Sequence, residues 1–172
     1  RRDGVRARAA YERALALDPA DARLVYEFDQ LRKKLNEPPG ARLASLEAHR
    51  ALVLGRDDAS IELAALYNLL GRPSEAFALL TARRFHPWEG GEGAVLRQYT
   101  ASHLLLGQQA LANGDAAGAL RHFAAAMDTP PNLGEAYHLL QAKADVNYWL
   151  GRAYRALGHE AEAVRHFEAA AA

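Results

Sequence analysis

The sequence predicts an all-α protein, a right-handed α-solenoid of antiparallel helix pairs with two long inter-repeat loops. Three observations predict it. Landmark residues recur at fixed offsets of 44 and 43 positions. Within each recurrence, apolar and small residues follow helical spacing. Glycines stand where one helix of a pair must end and turn into the next.

The recurrence is residue-specific. Leu106-Gly107-Gln108-Gln109-Ala110 leads to Gly114, Gly118-Ala119, Phe123 and Ala126. At an offset of 44 come Leu150-Gly151-Arg152-Ala153-Tyr154, Gly158, Glu162-Ala163, Phe167 and Ala170. Leu63-Ala64, Tyr67, Gly71, Glu75-Ala76 and Leu80 form an earlier copy, at an offset of 43. Each copy reads as a helix pair. The small residue (Ala64, Gly107, Gly151) admits a close crossing, and Leu80, Phe123 or Phe167 packs against it. Gly71, Gly114 and Gly158 end the first helix in the left-handed conformation. One pair cannot bury its apolar face, so pairs must stack.

These landmarks resemble the tetratricopeptide repeat family, whose pattern is a small residue after Leu, then Tyr, Gly, Ala, Phe, Ala and Pro. The resemblance implies a single helical-repeat domain over 1–172, with units at about 1–19, 21–54, 57–93, 94–141 and 142–172. Ala7, Tyr11, Ala14 and Leu15 to Pro19 match the second helix of a partial first unit. The next unit is degenerate. Its first helix, near Asp21 to Asn36, carries Leu24, Phe28 and Leu31 at helical spacing, but Asp29 stands where a small residue is expected. Its partner, near Pro39 to Ala48, turns Leu43 and Leu46 inward. Leu52-Val53-Leu54 reads as a short apolar turn, and Asp57-Asp58 as the cap of the next helix. The stretches Tyr26 to Leu31, Leu66 to Gly71, Arg84 to Gly93 and Asn132 to Glu135 also resemble the C-terminal tetratricopeptide tail of large bacterial proteins with a sugar-related β-sandwich N-terminal domain. On that likeness the chain, which opens on Arg1-Arg2, is a fragment of a longer protein.

The family period is about 34 residues, so copies 43 and 44 apart carry a surplus after each second helix. One insert is Arg84 to Gly93, with two aromatics, a histidine, two carboxylates, a proline and three glycines. The other is Thr129 to His138. Both occupy the same kind of connection, so stacked repeats should bring them side by side. The expected composite surface is Phe85, His86, Trp88, Glu89 and Glu92 from one loop and Asn132, Glu135, Tyr137 and His138 from the other. Three readings stand beside one another. Phe85 and Trp88 tuck under the repeat edge while the Glu residues favour the start of the helix near Ala94. Or Trp88 anchors a docked protein, or another domain of the same chain. Or Trp88 stacks on a sugar with the carboxylates as acceptors, making the chain an accessory to a carbohydrate-active enzyme.

The family resemblance implies a second surface, the groove lined by the first helix of each pair. Its candidates are Arg23, Tyr26, Gln30 and Lys33, then Asp58, Ile61 and Asn68, then Leu104 and Gln108, then Asp145, Tyr148, Arg152 and Arg155. The bland alternative is an ordinary solvated helix face. Some family members grip C-terminal carboxylates with Lys and Asn, but Tyr26, Gln30, Ile61 and Ala65 stand at those places here.

Composition narrows the classes. Twenty-one basic residues balance twenty-one acidic ones, which argues against a nucleic-acid or anionic-membrane surface. There is no cysteine, hence no disulfide frame and no thiolate metal site. This fits a cytoplasmic setting. No apolar run approaches the ~20 residues of a span. His122 and His166 sit at equivalent repeat positions and read as structural, while His86, His103 and His138 are the histidines that could meet at the inserts. No nucleophile elbow, phosphate loop or paired metal ligand is present. The expectation is a non-catalytic interaction module with no cofactor and no metal.

Overall fold

The computed structural model describes residues 2–86, 91–137 and 143–172. Among them are ten α-helices, one 3-10 turn and no strand, the all-α fold of helix pairs that the repeat predicts. The chain forms two compact units, Arg1–Leu70 and Gly71–Ala172.

The first unit holds α1 (Arg2–Leu17), α2 (Ala22–Lys34), α3 (Pro39–Ala48), α4 (Arg50–Leu54) and α5 (Asp57–Leu69). The carboxylate of Asp21 starts α2 by accepting the N–H groups of Arg23 and Leu24 at 2.8 and 3.2 Å. Asn36, with φ 57°, turns the chain after α2 in the left-handed conformation that Asn tolerates. The degenerate position explains itself here. Asp29 is buried, and Arg42 of α3 reaches it with Nε and Nη2 at 3.0 and 2.6 Å. Arg42 Nη2 also donates to Glu62 at 2.6 Å, and Lys33 Nζ reaches the same carboxylate at 2.9 Å. An ion-pair network thus replaces the small-residue crossing of a regular unit. Burial pushes the Asp29 carboxyl above its usual range against the pull of Arg42. At Glu62 burial acts upward too, but Arg42 and Lys33 outweigh it and the pKa is lowered.

Two expectations for this unit are corrected. Leu52 to Leu54 do not form a turn but close a five-residue helix, α4, whose Val53 is buried. Asp57 and Asp58 are not the cap of α5. They lie in its first turn, the N-cap is Arg56, and Asp58 pairs with the Arg56 guanidinium at 2.7 Å.

The second unit holds α6 (Pro73–Thr81), α7 (Ala94–Ala112), α8 (Ala116–Ala125), the 3-10 turn η1 (Pro131–Leu133), α9 (Ala144–Ala156) and α10 (Glu160–Ala171). α7 packs on α8 and α9 on α10, and α8 joins the two pairs through Ala119, Phe123, Val146, Leu150 and Ala153. Gly114 and Gly158 have φ of 82° and 78°, as the turn of each pair requires. A Cβ on Gly107 would lie 2.3 Å from the Phe123 ring, and one on Gly151 would lie 2.7 Å from Phe167. Glycine is therefore what lets each aromatic ring sit against the opposing backbone.

The same offset of 44 carries a polar pair. His103 of α7 meets His122 of α8 through their Nδ1 atoms at 3.2 Å. One repeat on, Asn147 of α9 meets His166 of α10 at 3.0 Å. The repeat surplus is also placed differently than expected. An offset of 43 from Asp57 would start α7 near residue 100, yet it starts at Ala94. α7 thus carries an extra turn and a half of helix directly after the first insert, which ends at Gly93.

Candidate functional site

The two inserts meet in the second unit. Phe85 N–H donates to the Asn132 carbonyl at 2.7 Å. Asn132 Nδ2 donates to the carbonyls of Leu80 and Arg83, both at 2.9 Å. These carbonyls lie at and just beyond the end of α6, where no helical donor remains. Phe85 itself is buried, at 1% exposure, with the Arg83 guanidinium 4.7 Å from its ring centre. Phe85 is thus no part of an exposed surface but is tucked inward, as one of the three readings has it, and Asn132 stands half-buried at the joint between the loops. His86, next to the joint in sequence, and Glu92 are exposed. Trp88, Glu89 and His138 lie outside the described residues.

Glu135 has a structural position the sequence did not signal. α7 begins at the left-handed Gly93, which has no capping side chain. The Glu135 carboxylate is turned toward the N–H groups of Gly93 and Leu96, without closing a regular hydrogen bond, and both its oxygens are buried without a partner. Burial is the main force raising its pKa, and Glu92 adds to it. The helix-start carboxylate anticipated from the first loop is thus supplied in part by the second.

Tyr137, the next large side chain, crosses to α7. Its hydroxyl donates to the Ala126 carbonyl and meets Thr100 Oγ1 at 2.7 Å. Lys143 Nζ lies 4.4 Å from the centre of the Tyr137 ring. Together with Arg97, Ala101 and Leu104 of α7 and Asp145 and Val146 of α9, they line a cavity of about 180 Å³. Arg97, Thr100, Ala101, Leu104 and Gln108 fall at i, i+3, i+4, i+7 and i+11, one stripe of α7. Asp145, Tyr148 and Arg152 form the matching stripe of α9. The cavity lies where these two first helices adjoin the second insert. Tyr148 is 43% exposed, and Arg152 donates to its hydroxyl at 3.1 Å while its guanidinium lies 5.5 Å from the Trp149 ring. Gln108 is half-buried. Arg97, Thr100 and Lys143 were not among the sequence candidates. Arg97 and Thr100 lie on the part of α7 that precedes the Leu106-Gly107 landmark, and Lys143 lies just ahead of α9.

In the first unit the candidate face is less open. Tyr26 is half-buried with the Arg56 guanidinium 5.8 Å from its ring, and Gln30 is half-buried beside Asp29. Asn68 and Ile61 are corrected: both are buried, at 8% and 7% exposure.

The histidines do not assemble a site among the described residues. His103 pairs with His122 and lies edge-on to Phe77 and Tyr99 at 4.9 and 4.6 Å between centres. Burial lowers its pKa to about 4, with His122 adding to the effect, so the ring is neutral. No three His, Asp or Glu side chains among the described residues are placed to hold a metal ion. No helix among them is long and apolar enough to cross a membrane.

No family model matches the sequence. The fold is similar to two crystal structures of MamA, a helical solenoid of the tetratricopeptide type. One, of MamA protein, aligns with a TM-score of 0.62 at 18% identity over 98% of this chain and 81% of that one. The other aligns with the same score and identity over 98% of this chain and 86% of that one. At this identity the likeness is one of fold.

Proposed function

We infer that this chain is a non-catalytic protein-interaction scaffold, and that the α7 and α9 stripes with the adjoining second insert are its docking face. One observation carries the reading: the cavity, Tyr148 and Arg152 share one side of two adjacent helices, where aromatic, aliphatic and cationic groups stand exposed together. Tyr and Arg are the residue types that anchor interfaces, because each offers a large contact area with a polar tip. The fold supports the same reading, since paired helices present their first members as a continuous surface. The partner is a polypeptide, either a separate protein or another domain of the same chain. His86 and Glu92, both exposed, extend the face toward the first insert.

The test is photo-crosslinking in the full-length protein. A photoreactive residue at position 148 or 152 should join one defined polypeptide segment, and one at position 165 on α10 should not. Tyr148→Ala and Arg152→Ala should each weaken that association while circular dichroism is unchanged. Equal crosslinking at 148 and 165 overturns the reading. The carbohydrate alternative rests on Trp88 with the carboxylates of Glu89 and Glu92, of which Trp88 and Glu89 lie outside the described residues.

A further inference from the structure

We propose that the cavity between α7, α9 and the second insert receives the carboxylate of an Asp or Glu side chain of the docked polypeptide, held between Arg97 and Lys143. The inference rests on the docking reading above and names its chemistry.

The cavity wall carries two cations that no described side chain neutralises through an ion pair. The chain is neutral and rich in ion pairs, as at Arg42, Arg56, Arg72 and Arg155. Arg97 and Lys143 have no ion pair or hydrogen bond to a side chain among the described residues, although the charge of Arg97 is felt at Glu135, whose pKa it lowers. Lys143 rests on the Tyr137 ring, which orients an ammonium but does not neutralise it. Asp145, the acid on the cavity wall, has one carboxylate oxygen occupied by the Val146 N–H at 2.8 Å. The three charged side chains of the lining therefore sum to one positive charge. That balance suits a single carboxylate and disfavours a phosphate dianion.

Shape and polarity agree. About 180 Å³ is the room of several waters, at about 30 Å³ each in the liquid, which fits one acidic side chain. Ala101, Leu104 and Val146 supply an apolar wall for its methylenes. Thr100 is held by Tyr137 at 2.7 Å, so the wall is preorganised by the insert. A cation pair in a partly enclosed pocket acts through a lower effective dielectric than on open surface, which makes the charge selective.

The experiment uses the whole chain, labelled with ¹⁵N, and two capped peptides: one with a central Glu-Glu in an Ala-Leu background, and its Gln-Gln counterpart. The Glu peptide should shift the amides of Arg97, Thr100, Ala101 and Lys143. It should bind at least about tenfold more tightly than the Gln peptide, since losing a charge-assisted bond is a loss of that order. Arg97→Met and Lys143→Met should each remove most of that preference, and Arg13→Met on α1 should not. Because neither cation closes an ion pair or hydrogen bond with a described side chain, both variants should keep the parent's dichroism. Equal binding of the two peptides at these amides overturns the carboxylate site and leaves the docking face standing. No shift anywhere on α7 and α9 with either peptide overturns the inference and weighs against the docking face as well. Equal binding of free glutarate and the Glu peptide overturns the polypeptide as occupant.

Discussion

Phe85 and Asn132, 47 residues apart in sequence, share a backbone hydrogen bond of 2.7 Å. That bond and the two from the Asn132 amide to Leu80 and Arg83 tie the inserts together at the end of α6. Asn132→Ala should destabilise the second unit by about 2 kcal/mol, two hydrogen bonds at about 1 kcal/mol each. Asn132→Asp should do no better, because a carboxylate cannot donate. Denaturant unfolding gives the magnitude, and amide exchange at Phe85 should quicken in both variants. Unchanged exchange would mean the loops are held elsewhere.

The glycine crossings predict opposite signs for one substitution. Gly107→Ala should cost about 1–3 kcal/mol, because the added methyl collides with Phe123 and the core must shift. Gly40→Ala in α3 meets nothing within 4 Å. It should stabilise by about 0.5–1 kcal/mol, since Ala loses less backbone entropy in a helix. Thermal melts of the two variants decide this, and equal effects would disprove the close crossing.

Arg42 is the partner that keeps Asp29 tolerable in the first unit. Arg42→Ala should destabilise by about 3–5 kcal/mol, leaving a buried carboxyl without its ion pair. Asp29→Ala with Arg42→Met should recover much of the loss, since the pair itself is worth less than its breakage suggests. A double variant as unstable as Arg42→Ala would show that the network, not the stranded carboxyl, matters.

His103 gives acid sensitivity. Its folded pKa of about 4 lies below the ordinary 6.5, so the unfolded chain takes up a proton that the folded chain refuses. The contribution is fully present above pH 6.5 and is lost as pH falls toward 4, to roughly 3 kcal/mol. His103→Asn installs the residue found one repeat later at Asn147, which can still meet His122. It should flatten the stability profile between pH 6.5 and 4. Persistence of the full slope would assign the acid sensitivity to other groups.

Glu135 should act with the opposite sign. Its raised pKa means the folded chain holds a proton that the unfolded chain has released. Stability is fully present below the ordinary carboxylate range and declines as pH rises through the folded pKa. Glu135→Gln keeps the shape and removes the desolvated charge. It should raise the melting temperature at pH 7 and leave it nearly unchanged at pH 4. A lower melting temperature at pH 7 would mean the charge is stabilising at the start of α7.

The repeat, the helix pairs, the left-handed turns at Gly114 and Gly158, and the crossings at Gly107 and Gly151 were determined by the sequence alone. Each depends on contacts within one pair of neighbouring helices, and short-range spacing records such contacts directly. Tertiary structure decided the rest. Asp29 looked like a defect until Arg42 reached it from another helix. Phe85 fits both a surface cluster and a residue tucked under the repeat edge, and nothing local decides between them, because Asn132 closes over it from 47 residues away. Arg97 and Thr100 stand on the expected helix, but only packing turns them toward the second insert. Lys143 acquires its neighbours only where the second insert returns to α7. Side chains far apart in the chain meet through packing, and no spacing rule encodes which of two exposed-looking residues the stack will bury.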